Sequence, residues 1–364
     1  MFLCAVGIHA AACTAETSES DASRTRAALE GEELELPTPV VFDSDMDFDD
    51  TTALAYIVQE HKLGHVDLRA VTVTNNGAAL PGRGLLFARC LMVRFGLPQI
   101  PVADGSPQGT NQFPAWVRFL IDKIISDTLA DCQLTPAPSP QTAAELISSV
   151  VSRSERPVTV IATGPVTNLA TAFRQLDAQV LNTRLGGVFL MGGGIEVSDG
   201  LLEPDPRFDG TQTVNFWVDP AGTQAVYDLA PIGRLTTVGH DATQFVPITF
   251  PFLDRLAASA VTAEASYVSA LMSHPFVQAG LQQQPDAAFW WDPLTTVARA
   301  RNSNTILDYS MKRIDIVEDG PSAGRTLEVG AQDSGRWTRV AMRAEQAAFE
   351  SRFLDTLNGI DSGD

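Results

Sequence analysis

From Pro39 onward, short apolar runs alternate with longer segments whose apolar residues recur at helical spacing. PVVFD (39–43) reads as a buried strand and TTALAYIVQEH (51–61) as the helix that follows it. LRAVTVT (68–74) precedes a helix over GRGLLFARCLMVRFG (82–96), with Gly96 and Pro98 marking its end. VTVIAT (158–163) precedes a helix expected to open at Pro165, since proline fits a first turn. GGVFLMGGG (186–194) reads as a strand entering a glycine-rich loop, and Val214 to Leu229 as loop, then helix. Alternation of this kind predicts βαβ units with right-handed crossovers. The expected fold is α/β: one domain with a mostly parallel, Rossmann-like central sheet flanked by helices. No repeat and no linker interrupts Pro37 to Leu357, so one domain spans 37–357 and residues 358–364 form a tail. Ligands of such sheets bind beyond the carboxyl ends of the strands. Asp43–Asp50, Asn75–Asn76, Thr163–Gly164 and Met191–Gly194 all fall at such ends.

The densest chemistry lies in VVFDSDMDFDDTTAL (40–54), where Asp43, Asp45, Asp47, Asp49 and Asp50 fall within eight residues. Asp43 and Asp45 share a face of a strand end. Asp49 and Asp50 open the next helix, where the dipole favours anions. Carboxylates brought this close repel one another unless a cation joins them, and an all-oxygen set suits a hard divalent ion, Ca2+ or Mg2+. The bland alternative is a solvated acidic turn.

Composition narrows the partners. Of 364 residues, 45% are hydrophobic, ample for a core, and 44 acidic against 25 basic residues give a net charge of −19. That charge argues against a nucleic-acid polymer or an anionic membrane surface. It leaves a small neutral substrate open. No transmembrane span is expected beyond the first residues. MFLCAVGIHAAAC (1–13) resembles the end of a secretory or lipoprotein signal, although no Lys or Arg precedes it. Export (periplasmic, secreted or lipid-anchored) and a cytoplasmic chain with an apolar tail both stay open. Residues 14–36, rich in Ser, Thr, Ala and Glu, read as a flexible tether. Cys4 and Cys13 fall in the signal-like segment, and Cys90 sits at core spacing with Leu86 and Val93. No CxxC or Cys/His cluster suggests zinc, and a Cys90–Cys132 pairing cannot be read from the sequence.

The acidic motif has company. DSDMDFDD followed by TTAL resembles the amino-terminal signature of the nucleoside hydrolases, Asp-x-Asp-x-x-x-Asp-Asp. AVTVTNNG, IATGPVTNLA, FLMGGG, VNFWVDP, GHDAT and WDPL resemble later signatures of that family in order and spacing, over roughly Pro37 to Leu357. The resemblance implies a Ca2+-dependent N-ribohydrolase that splits the N-glycosidic bond of nucleosides. It implies Ca2+ held by Asp45, Asp50, the Thr163 carbonyl and Asp292, with Asp45 taking a proton from a water held there. It places Asp49, Asn76 and Asn215 around the ribose hydroxyls, with Met191 lining the pocket. It also implies a homodimer or homotetramer.

Three departures bear on sugar and leaving group. Thr213 stands where the family usually has Glu. Trp291 stands where some members have a His before the last metal-binding Asp, leaving Trp290 and Trp291 as stacking surfaces for a base or as core. A further family Asn has no clear match in GGGIEVSDGLLEPDPRFDG (192–210). His240 could act as an acid, although a satisfied histidine is the favoured reading. His274 reads as structural, and Asp47 as pointing to solvent. Gly192–Gly194 lacks the Lys of a phosphate loop. Two other functions compete: a haloacid-dehalogenase-type phosphatase, whose strand-then-DxD motif VVFDSD superficially matches, and a non-catalytic exported nucleoside or sugar binder.

Overall fold

Apolar runs rich in β-branched residues, too short for helices, become strands buried on both faces, as a covered parallel sheet requires. The computed structural model describes residues 36–132, 137–197, 208–285 and 287–362; the signal-like segment and nearly all of the tether lie outside them. The strands are β1 (Thr38–Ser44), β2 (Val66–Val73), β3 (Val102–Asp104), β4 (Val158–Ala162), β5 (Leu185–Met191), β6 (Leu235–Val238), β7 (Leu307–Ile316), β8 (Thr326–Glu328) and β9 (Arg336–Ala344). They form one sheet in the order β3-β2-β1-β4-β5-β6-β9-β7-β8. β1 to β6 run parallel, and β9 joins β6 in the same sense. β7 runs antiparallel to both β9 and β8. The parallel sheet matches expectation; the antiparallel edge is an addition.

The chain steps from β1 through β2 to β3 on one side, then places β4 on the other side of β1. That reversal opens a crevice beyond the carboxyl ends of β1 and β4, where doubly wound sheets bind ligands. Side-chain alternation builds a core on each face of the sheet: Val40 and Phe42 enter one with Leu54 and Phe353, while Val41 enters the other with Val160 and Phe173.

The first described helix, Phe48–Leu63, begins three residues earlier than its apolar pattern suggested. Asp47 and Asp50 form a reciprocal capping box at its start, and Gly64 ends it in the left-handed conformation. The helix after β4 runs Thr167–Gln175 and opens two residues later than Pro165, because Thr163 and Gly164 first turn around Asp45. Cys90, on the helix Arg83–Arg94, forms a disulfide with Cys132.

Candidate active site

A cavity of about 80 Å³ occupies the crevice, walled by Asp45, Asp47, Asp49, Asp50 and Asp292. Thr163, Met191, Thr213, Asn215, His240 and Trp291 also line it. Local structure explains how the acidic segment reaches this arrangement. β1 ends at Ser44, and Met46 turns the chain with φ 55°, a left-handed conformation rare outside glycine. The Met46 side chain is fully buried in the core, which fixes the turn. Its N–H donates to Ser44 Oγ at 2.9 Å, and the Ser44 hydroxyl donates to Asp50 Oδ1 at 2.7 Å.

Each carboxylate is held by a different element. Asp45 Oδ2 accepts from the Ala78 N–H at 2.6 Å, beyond β2. A Cβ at Gly77 would overlap the Asp45 carboxylate, and one at Gly164 would press on its backbone and Cβ. These two glycines therefore let the loops after β2 and β4 close around Asp45. Asp50 Oδ1 also accepts from Thr163 Oγ1 at 2.5 Å, and Asp50 Oδ2 from the Asp47 N–H at 2.9 Å. Asp49 Oδ2 accepts from the Asp292 N–H at 3.3 Å, tying the first described helix to the helix Trp291–Val297. Oxygens of Asp49, Asp50 and Asp292 lie within 4.8 Å of one another.

Burial pushes the Asp45, Asp49 and Asp292 carboxyl groups well above the ordinary carboxylate range, and neighbouring carboxylates add to the effect. Asp47 rises to about 7 for the same reasons, desolvation first and the Asp50 charge second. Among the described residues no Lys or Arg lines this wall. An all-oxygen donor set of mutually repelling buried carboxylates, with the Thr163 backbone beside it, fits a hard divalent cation. Softer metals that favour sulfur or imidazole fit it poorly.

Of the residues expected to meet a substrate, Asp49, Met191, Asn215 and Trp291 share this cavity. Asn215 Nδ2 donates to the Thr163 carbonyl at 2.6 Å and to the Met191 carbonyl at 3.3 Å, joining the ends of β4 and β5. Asn76 is not brought to the cavity wall. Its Nδ2 donates to the Gln108 carbonyl at 2.6 Å and to Thr167 Oγ1 at 2.8 Å, and its Oδ1 accepts from Thr74 Oγ1 at 2.5 Å. Thr167 in turn donates to Asp219, so Asn76 anchors a polar chain beneath the site.

Several side chains read differently in place. Asp47 does not simply face solvent: it caps a helix and lines the cavity, since the capping geometry points its carboxylate inward. Trp290 is wholly core, packed on Phe252 and Phe353. Trp291 is the tryptophan in the cavity wall, with the His240 ring stacked at 6.5 Å between centroids. His274 is structural, its Nδ1 accepting from the Phe276 N–H at 3.2 Å. Asp43 lies behind the site, braced by Thr72 Oγ1 at 2.6 Å and Asn168 Nδ2 at 2.9 Å. The sequence reading missed Phe113 and Val214 in the wall. No local motif marks Phe113; Val214 stands beside Asn215 at the head of VNFWVDP, but only tertiary packing brings it into the wall.

Residues 40–351 match the family model of the inosine-uridine preferring nucleoside hydrolases. The chain belongs to that family. It is 29% identical over 196 residues to the pyrimidine-specific ribonucleoside hydrolase RihA of Photobacterium profundum, covering 53% of this chain and 57% of that protein. Against the enzyme of the same name from Shewanella oneidensis it is 30% identical over 229 residues, covering 61% and 65%. The chain thus spans about three fifths of the length of the curated relatives it matches. The inosine-uridine preferring nucleoside hydrolase of Bacillus anthracis superposes with a TM-score of 0.74 at 22% identity, covering 89% of this chain and 100% of that one. The purine-preferring ribonucleoside hydrolase of Gardnerella vaginalis gives 0.70 at 18% identity, covering 88% and 98%. At those identities the two structures establish a shared fold. Among the described residues no helix is long and apolar enough to cross a membrane.

Proposed function

We propose that the protein hydrolyses the N-glycosidic bond of ribonucleosides, giving ribose and the free base, with Ca2+ as its metal. The observation that carries this reading is the cluster of five buried or part-buried carboxylates in the cavity wall at the sheet's switch point, in a chain of this family. Asp45, Asp50, Asp292 and the Thr163 carbonyl would hold the ion. Held there, Ca2+ would supply the charge that lowers the pKa of a water beside it. Asp45, its carboxylate oriented by the Ala78 N–H, takes the proton as water attacks C1′. The C1′–N bond breaks, and its electron pair leaves on the base nitrogen, which gains a proton.

Cleavage passes through an oxocarbenium-like sugar, so buried carboxylates beside the ribose oppose its developing positive charge. Asp49 and Asn215 hold the ribose hydroxyls, while Asn76 acts as a brace through Thr167. Trp291 rather than a histidine immediately precedes Asp292, so protonation of the base falls to solvent or to His240, with Trp291 as stacking surface. A nitrophenyl riboside, which needs no such protonation, should therefore be cleaved much faster than inosine or uridine. The Cys90–Cys132 disulfide favours an oxidising compartment, which supports export.

Reducing sugar released from a nucleoside panel that includes inosine and uridine tests the reading. Release is expected, and removal of the metal by a chelator should abolish it. Full turnover in chelator-treated protein would overturn the metal assignment, and phosphate release from a phosphomonoester without sugar release would mark a phosphatase instead.

A further inference from the structure

Beside the carboxylate cavity lies a larger one of about 310 Å³. The two share Asp47, Phe113, Val214 and Trp291, so a ligand whose sugar sits in the first has its far end directed into the second. The rest of the larger wall comes mainly from the helices Ala115–Thr128 and Pro275–Gln283, through apolar side chains such as Ile121, Ile124, Val277 and Leu281. Among the described lining residues, only Asp47 and Gln284 bring a polar side chain other than an indole. Asp47 is already engaged in capping its helix. The hydrogen-bonding edge of a nucleobase, buried against such a wall, would lose its water partners without replacement. An apolar ring or chain would lose nothing and would gain the burial. At the rim, Trp116 and Phe276 are 68% and 49% exposed, extending the apolar surface outward.

We infer that the larger cavity receives the leaving group, and that the enzyme selects N-ribosides whose aglycone is an extended aromatic heterocycle with few polar edge atoms. This rests on the hydrolase reading above and deepens it by naming the class of leaving group. The reaction is the same: water gives its hydroxyl to C1′ and a proton to the departing ring nitrogen.

The test uses benzimidazole N-ribosides bearing hydrogen, methyl, ethyl or butyl on the benzo ring, which leaves the leaving group's chemistry nearly constant. kcat/KM is expected to rise about three- to fourfold per added carbon, the value of one buried methylene. Gly280 lines the cavity on a helix, and a Cβ there meets no atom within 4 Å. Gly280→Leu should therefore fill the space and lower the butyl-to-hydrogen ratio of kcat/KM at least tenfold. The ratio is insensitive to the amount of folded protein. A flat or falling series in the unmodified enzyme, with the unsubstituted riboside still cleaved, would overturn the inference and leave the hydrolase reading standing. Cleavage of inosine or uridine with no benzimidazole riboside cleaved would overturn the inference as well. If no riboside of either kind is cleaved, the hydrolase reading falls, and binding of free butylbenzimidazole, followed by tryptophan fluorescence, decides the cavity. Binding weakened tenfold by Gly280→Leu would support an apolar ligand there, and no binding would overturn it. A dimer that dissociates in Gly280→Leu while the substrate series stays unchanged would assign the cavity to a second copy of the chain and overturn the proposal as well.

Discussion

At the carboxyl ends of β1 and β4, Asp45, Asp47, Asp49, Asp50 and Asp292 share one wall. At the amino ends of the same strands, Arg234, Arg299, Arg301 and Arg339 line a cavity of about 290 Å³. The arginines find partners within the protein. Arg299 Nη2 donates to Glu60 Oε2 at 2.7 Å, and Arg234 Nη1 to the Gly186 carbonyl at 3.0 Å. Arg339 Nε donates to Thr236 Oγ1 at 3.0 Å while its guanidinium lies 4.3 Å over the Tyr309 ring. The carboxylates receive hydroxyl and amide donors, but no Lys or Arg lines their wall among the described residues. An arginine whose charge the protein itself balances, as Glu60 balances Arg299, is architecture. Like charges gathered and buried without such balance favour a ligand that supplies it.

The contrast predicts different losses at the two ends of the sheet. The largest effect is expected for Asp45→Asn: a loss in kcat/KM on the order of 10³-fold with unchanged circular dichroism, as when a general base is removed from an electrostatic site. A loss under tenfold would remove Asp45 from the chemistry. Asp49→Ala should cost about 3 kcal/mol of transition-state binding, roughly 150-fold in kcat/KM. Equal kcat/KM on every nucleoside would contradict its contact with ribose.

At the opposite end, Arg299→Leu should leave kcat/KM within about twofold yet destabilise the fold by about 3 kcal/mol in urea unfolding, because Glu60 stays buried with fewer partners. Unchanged stability would show that this end does not depend on its internal pairing. The smallest effect concerns pH. Asp43, whose carboxyl burial lifts to about 7, and the raised Asp45, Asp49 and Asp292 bind more protons folded than unfolded between their unfolded values near 4 and their folded ones. For Asp43 this stability is full below about pH 4 and is lost as pH rises through 7, and for Asp45, Asp49 and Asp292 it is lost as pH rises through their raised folded values. Chelator-treated protein should melt lower at pH 7.5 than at pH 5, on the order of 5 °C, and added Ca2+ should reverse the change at pH 7.5. A Tm that rises over that range in the absence of metal would contradict the burial of these carboxylates.

How much of this was legible beforehand followed from range along the chain. β4 and β5 were readable because VTVIA and LGGVFLM are continuous apolar runs. The β7–β9 edge was not, because LDYSMKRIDI is partly exposed and carries charge along its length. Asp45 to Asp50 could be read as a site because one strand end and one helix start bring them together. Trp291 could be named as a wall residue, but only tertiary packing shows that Trp290 beside it turns into the core. The engagement of Asn76 with Gln108 and Thr167 joins segments up to 91 residues apart, as the Cys90–Cys132 bridge joins two 42 apart, and no local pattern encodes either.

Met46 has a consequence for heat. The residue that turns the chain between Asp45 and Asp47 does so in an unfavourable left-handed conformation, with its side chain fully inside the main hydrophobic core. Such a turn persists only while the surrounding packing over-determines it. The carboxylate segment therefore has no melting transition of its own: it cannot fray first, as an exposed active-site loop would, and it cannot outlast the core. Activity on warming should hold until the whole domain unfolds and then vanish with it, so the inactivation curve and the calorimetric transition should coincide.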